Sequence, residues 1–352
     1  MGCLEHVSLL RRSVMLGYGD PALSGWANLC RALRRWLGGG RNGLRAAPSS
    51  GRLSERRVVT DGVRSPDRVG VKSRWLQRWV AVGLLVGLVT ATPACAGNLR
   101  LGTDTAAAFA RYVRATDARN DFELKRGTGL LWIDGLPEEE RAAAYERLRR
   151  GDVEVQKLET MDGASAIACP GGLIHHWVGV VFIPGASVDD VLAVLQDYDR
   201  QAVYYAPDVE RSKVISRDGG HFRVYLRFRR HKVITVVLDT EHEVNYFRDA
   251  AGLAHSRSSA VRIAEVEDAG SAAERSKEPG DDDGFLWKME TWWRVEQADG
   301  GVYVQSEVAS LTRGIPTGLG WLVGPFVTSI PRETLRFTLE ATRKAVEGRR
   351  AK

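Results

Sequence analysis

The run GLIHHWVGVVFIPGASVDDVLAVLQDY, residues 172–198, changes its period in the middle. Up to Ile183 it alternates. Leu173, His175, Trp177 and Gly179 fall on one face, and Ile174, His176, Val178 and Val180 on the other, which is the two-residue repeat of a long strand. Gly179 has no side chain to pack and predicts a bulge or bend there. Pro184-Gly185-Ala186 turns the chain. Ser187 then caps a helix, with Asp190 three residues on as a weak capping box and Val191, Leu192, Val194 and Leu195 as the apolar stripe. The helical pattern continues from Gln196 to Ala206 and breaks at Pro207.

Working outward, strands are predicted at 153–158 upstream and at 209–217, 221–230, 233–247, 253–267, 285–297 and 302–312 downstream. Asp218-Gly219-Gly220 and Asp299-Gly300-Gly301 supply hairpin turns between them. Residues 267–284 are polar and read as a long flexible hairpin loop. The chain closes with an apolar stretch, 317–330, and a helix over about 331–347 with Leu335, Leu339, Thr342 and Val346 on one side. Ahead of the strands, a helix over 103–120 (Ala106, Phe109, Ala110 and Val113 on one face) and another opened by Pro137 and three glutamates form a helical lead-in, residues 97–152. The fold class is α+β. A curved antiparallel sheet, within residues 153–348, wraps a long C-terminal helix and leaves a cavity between the two.

The chain is 352 residues long with a formal charge of +6, but that charge is unevenly placed. Residues 1–96 hold 15 Lys and Arg against 5 Asp and Glu, whereas the rest holds 35 against 39. The folded part therefore has no global attraction for phosphate backbones, and no nucleic-acid partner is expected. Lys72, Arg74 and Arg78, the apolar run Val80–Val89 and the small residues Ala94-Cys95-Ala96 make residues 71–96 a secretory signal, cleaved after Ala96. Thr92-Pro93-Ala94 lacks the leucine-rich pattern that would make Cys95 a lipid-attachment site. The protein is thus expected to be exported, to a periplasm or beyond the cell. Residues 1–70, rich in Arg and Gly, precede the signal awkwardly and point to a true start near Val71. After cleavage Cys169 alone remains, so no internal disulfide is expected. No Cys/His metal spacing, phosphate loop or nucleophile elbow is present, and neither cofactor nor metal is expected.

The strand-to-helix passage Val180–Ser187, the stretch Val191–Tyr198 with its closing aspartate-aromatic pair, Tyr204-Tyr205-Ala206-Pro207-Asp208-Val209 and the last helix together resemble the START-like (SRPBCC, polyketide-cyclase-like) superfamily. The resemblance spans about residues 170–348. It implies a helix-grip fold and a hydrophobic cavity for lipids, isoprenoids, polyketides or similar molecules. Some members are enzymes and others only carry a ligand, so fold alone does not choose between these.

The residues themselves name candidate linings. Trp287, Met289, Thr291, Trp293 and Val295 share one face of a strand, an apolar wall fit for a ligand or for core packing. Trp177 faces inward on its own strand. Trp321 and Phe326 lie in the Gly-rich apolar stretch Thr317–Val327, which reads either as a lid over the cavity that dips into a membrane surface or as a buried part of the last helix. Arg223, Tyr225, Arg227 and Arg229, with Arg230, His231 and Lys232, form a basic stripe, read as the solvated outer face of a sheet or, more sharply, as a contact for anionic lipid headgroups or a partner protein. His175 and His176 point to opposite faces, cannot easily share a metal and read as structural, and Asp197 and Asp208 could form a carboxylate pair but Asp197, at a helix end, reads rather as a cap or local hydrogen-bond acceptor. No residue is assigned a catalytic role. The expected function is an exported carrier of an apolar or amphipathic small molecule or lipid. The alternatives are a cyclase- or dehydratase-like enzyme in the same cavity, or a partner-binding domain with a filled core.

Overall fold

A computed structural model describes residues 100–231, 235–250, 252–314 and 320–351, with the side chains of residue 250 and of 320–328 outside that description. The expectations for the leader, residues 1–96, lie outside the described residues. The elements are α1 (Thr103–Arg126), α2 (Glu138–Arg149), β1 (Val153–Lys157), the two-residue strands β2 (Met161–Asp162) and β3 (Ser165–Ala166), β4 (Gly172–Pro184), α3 (Val188–Leu195), α4 (Gln201–Tyr204), β5 (Val209–Asp218), β6 (His221–His231), β7 (Thr235–Ala250), β8 (Leu253–Glu267), β9 (Arg275–Ser276), β10 (Lys288–Ala298), β11 (Gly301–Arg313) and α5 (Gly320–Arg350). One antiparallel sheet runs β1-β4-β11-β10-β8-β7-β6-β5, with β9 added to β8. The β10–β11 turn places Asp299 and Gly300 both at positive φ, 53° and 72°, as a two-residue hairpin with the sheet's twist requires. Ser187 and Asp190 form the capping box of α3, the Ser187 N–H donating to Asp190 Oδ2 at 2.9 Å.

The C-terminal helix lies against one end of this sheet. Leu335, Leu339, Thr342 and Val346 are all buried. The three aliphatic ones pack with Val153, Val181 and Ile183 of the sheet and with Val191, Leu192, Val194 and Leu195 of α3. Each such fully buried aliphatic side chain contributes about 1.5–3 kcal/mol. The helix begins at Gly320 rather than near Pro331. A proline removes one helical N–H bond without forbidding those around it, and Leu335 and Leu339 anchor the helix just beyond. Gly179 does not mark a bulge, since it pairs in regular register with Val155 and Ser306. A Cβ there would stand 2.7 Å from Leu339 Cδ1 and 3.1 Å from the Glu154 carbonyl oxygen. The glycine is what lets the helix close on the sheet.

The lead-in covers the back of the same strands. Phe109, Tyr112 and Val113 of α1 pack on Trp287, Trp292, Ala309 and Leu311. Leu131, Ile133, Ala144 and Leu148 pack on Val180, Phe182 and Tyr303. The buried stripe of α1 is Thr105, Phe109, Tyr112, Val113, Thr116 and Asn120, with Ala110 exposed. It is more polar than expected because it meets a polar patch of the sheet. Burial on both faces explains why β4 carries apolar residues at both parities.

Two further expectations change. Residues 267–284 are not a free loop. Burial pushes the Glu265 carboxyl up to about 7, and it accepts from the Asp283 and Phe285 N–H groups, each at 2.9 Å. Lys277 Nζ reaches Asp283 at 2.6 Å, and Asp282 takes the Gly284 N–H and the Trp287 indole. The polar residues that suggested flexibility are the anchors. The basic stripe of β6 is likewise not a free cationic face. Arg223 pairs with Glu241, Arg227 with Asp239 and Glu274, and Arg229 with Glu210, and Arg227 is only 5% exposed. Each charge is consumed by a carboxylate on a neighbouring segment.

Candidate functional site: the inner face of the sheet

Strand register sets the inner face in cross-sheet rows. One row is Gly179, Ser306, Trp293, Ser256 and Tyr246, and the next is Trp177, Val308, Thr291, Ser258 and Val244. A third joins His175, Ser310 and Met289. Farther across the sheet His242 faces inward between Val224 and Ala260. The helix α5 packs closely on β1, β4 and α3. Beyond that line, Trp177, Met289, Trp293 and Val308 are half-buried rather than buried. Large apolar side chains on an inward face reach that state when the space before them is not filled.

The polar groups of this face are mostly uncharged. His175 is 4% exposed and bonds Thr312 Oγ1 at 3.1 Å. Burial, helped by the Lys157 charge, lowers it to about 4. His242 is 3% exposed and bonds Thr240 Oγ1 at 2.9 Å, and burial alone lowers it to about 4. Both imidazoles are therefore neutral at pH 7, because the charged form cannot be solvated there. Among the described residues no carboxylate hydrogen-bonds either ring, so none there serves as the orienting acid of a catalytic His pair. The hydroxyls of Ser256 and Ser306 are buried without any hydrogen-bond partner.

Of the expected lining residues, Trp177, Met289, Thr291 and Trp293 share the inner face. Trp287 does not. It precedes β10, donates its indole N–H to Asp282 at 3.0 Å and packs with Phe109 and Leu311 on the back of the sheet. The alternation ends with the strand, and the anchored loop turns this side chain away. Trp321 and Phe326 fall on the first turns of α5, so the expected lid is helical from Gly320 onward. Residues 315–319 and the side chains of Trp321 and Phe326 lie outside the described residues. Asp197 and Asp208 do not pair. Asp197 accepts from Tyr204 and Arg349 at the end of α5, and Asp208 binds Arg230 at 2.6 Å. Cys169 is half-buried with its thiol pushed up by burial, a packing residue.

The sequence reading missed the polar cluster behind the sheet. His176 Nε2 bonds Glu307 Oε1 at 2.7 Å, and its Nδ1 meets the Tyr112 hydroxyl at 2.8 Å. Arg119 also binds Glu307, and Arg294 binds Asn120, Glu123 and the Leu130 carbonyl. Burial pushes the Glu307 carboxyl up, but the His176 bond and the Arg119 charge outweigh it and hold the group below its usual range. Every member bridges α1 or its following loop to the sheet, so the cluster docks the lead-in. The visible signal was the polar run His176, Glu290, Arg294 and Glu307 on strands otherwise rich in apolar residues. Two open hollows, about 280 Å³ beside Tyr145 and Tyr303 and about 410 Å³ beside Tyr204 and Arg349, are edged by charged side chains and lie outside the inner face.

No protein-family model matches the chain, and no curated protein matches it. Among solved structures it is similar to a STAR-related lipid transfer protein from Xanthomonas axonopodis, at 21% identity over 54% of this chain and 98% of that one, with a TM-score of 0.36. It is also similar to human STARD10, at 11% identity over 61% and 84%, TM-score 0.36. A third is an aromatase/cyclase from Streptomyces, at 15% identity over 51% and 97%, TM-score 0.32. The strand order and the gripped helix define the class as a helix-grip α+β fold.

Proposed function

We propose that this protein is an exported, non-catalytic binder and carrier of an apolar or amphipathic small molecule, held between the inner face of the sheet and α5. The observation that carries the reading is the half-burial of Trp177, Met289, Trp293 and Val308 on an inward face against one end of which α5 packs. Burying that surface with a ligand contributes about 25 cal/mol per Å² of apolar area. Export rests on the signal-like run 71–96. A peripheral membrane contact through the apolar segment around Trp321 belongs to the same proposal, and unchanged liposome binding and ligand exchange in Trp321→Ala would remove it.

The enzyme alternative gains two inward imidazoles, His175 and His242. Each is paired only with a threonine hydroxyl and held unprotonated, which supports a spectator role over an acid one. Native mass spectrometry of the purified full chain, challenged with a total lipid extract, tests the binder. A stable adduct of defined mass, lost on denaturation, is expected. A chain that stays bare would move the weight to a partner-binding domain.

A further inference from the structure

Two hydroxyls on the inner face are out of keeping with the rest. Ser306 on β11 and Ser256 on β8 flank Trp293 in one cross-sheet row. They are 1% and 2% exposed, and neither oxygen has a partner among the described residues. Several hydroxyls of the same face are engaged. Thr312 bonds His175, Thr240 bonds the Leu226 carbonyl, and Tyr246 bonds Tyr198 and the Leu195 carbonyl. A buried, unpartnered hydroxyl carries an uncompensated desolvation penalty, so two of them in one inner-face row call for a molecule that supplies the missing bonds.

The surroundings say what kind of occupant. The inner-face neighbours on the central strands of the two rows are Trp293, Tyr246, Trp177, Val308, Thr291 and Ser258, none of them charged, and the charged Lys157 ends the Trp177 row at the sheet edge. Arg230, at the far edge, is held by Asp208. We propose that the inner face takes an uncharged apolar molecule bearing hydroxyl or carbonyl oxygen, laid over Trp293 with its oxygen on Ser256 or Ser306. Serine both donates and accepts, so it serves an alcohol and a ketone alike. Strand spacing sets the two hydroxyls about 10 Å apart, so a molecule with oxygens at both ends engages both. Lys157, the cation opposite Trp177, stands at the exposed sheet edge three strands from Trp293, so a carboxylate laid on the serines is left without a counter-charge and is selected against. Neutral His175 and His242 add no positive charge. This rests on the binder reading and narrows it to a ligand class.

The test is a tryptophan-fluorescence titration of the full chain with four matched probes: octanol, 2-octanone, octanoate and chlorooctane. Octanol and 2-octanone are expected to bind more tightly than octanoate. Ser256→Ala or Ser306→Ala, alone or together, should weaken those two by about five-fold per lost hydrogen bond while leaving chlorooctane unchanged. Both variants should melt no lower than the parent, since each deletes an unpartnered hydroxyl. If all probes bind and the serine variants change none of them, the two serines are plain core and this inference falls while the binder stands. Tighter binding of octanoate than of octanol also overturns it. If no probe binds the parent chain, the binder reading falls with it.

Discussion

Gly179→Ala is the sharpest probe of how the helix is held. The added Cβ would lie 2.7 Å from Leu339 Cδ1, 3.1 Å from the Glu154 carbonyl oxygen and 3.3 Å from Val155 Cγ2. Ordinary carbon contacts sit at about 3.5–4.0 Å, so Leu339 or the helix must retreat by about 1 Å. Overpacking of this kind costs about 1–3 kcal/mol. Replacing glycine returns about 0.4–1 kcal/mol by narrowing the unfolded ensemble. The net expectation is a loss of about 1–2 kcal/mol, or about 2–8 °C in Tm for a domain this size. Calorimetry and urea unfolding measure it. Leu339→Ala alone should cost about 2–5 kcal/mol. It also removes the clashing methyl, so the double variant should be more stable than additivity predicts by at least about 0.5 kcal/mol. A neutral Gly179→Ala together with an additive cycle would refute the argument that this glycine seats the helix.

Other outcomes follow from the same contacts. Glu307→Ala leaves Arg119 and His176 facing a buried void, and should cost about 3–5 kcal/mol and raise hydrogen exchange across 103–126, where the lead-in docks. His175 and His242, with folded values lowered to about 4, give stability that is whole above about pH 6.5 and is lost as the pH falls toward 4. At pH 5 each accounts for a loss of about 2 kcal/mol relative to pH 7, and His242→Gln should flatten that slope by its share in urea titrations. On the export proposed above, N-terminal sequencing of the mature protein should begin at Gly97, and a sequence beginning upstream of residue 71 would remove the proposed signal.

Much of the architecture was legible along the chain. Alternation and hairpin glycines located the long strands to within a few residues, and Ser187 with Asp190 marked the start of α3. These are local signals, set by side-chain period and backbone conformation. The inner placement of Met289, Thr291 and Trp293 followed from the same period, because a strand cannot change the face of one residue without its neighbours.

The sequence by itself therefore determined the sheet, the gripped helix and most of the apolar wall. Only the tertiary structure decided what each face meets. It turned Trp287 to the back, where Asp282 holds its indole, and it paired the arginines of β6 with carboxylates distant in the chain. It also brought Tyr112, His176 and Glu307 together from three separate elements, and left Ser256 and Ser306 without partners beside Trp293. The reason is range. Periodicity reports which side chains share a face, whereas burial, ion pairing and the satisfaction of a hydroxyl depend on segments as much as 188 residues apart, as for Arg119 and Glu307.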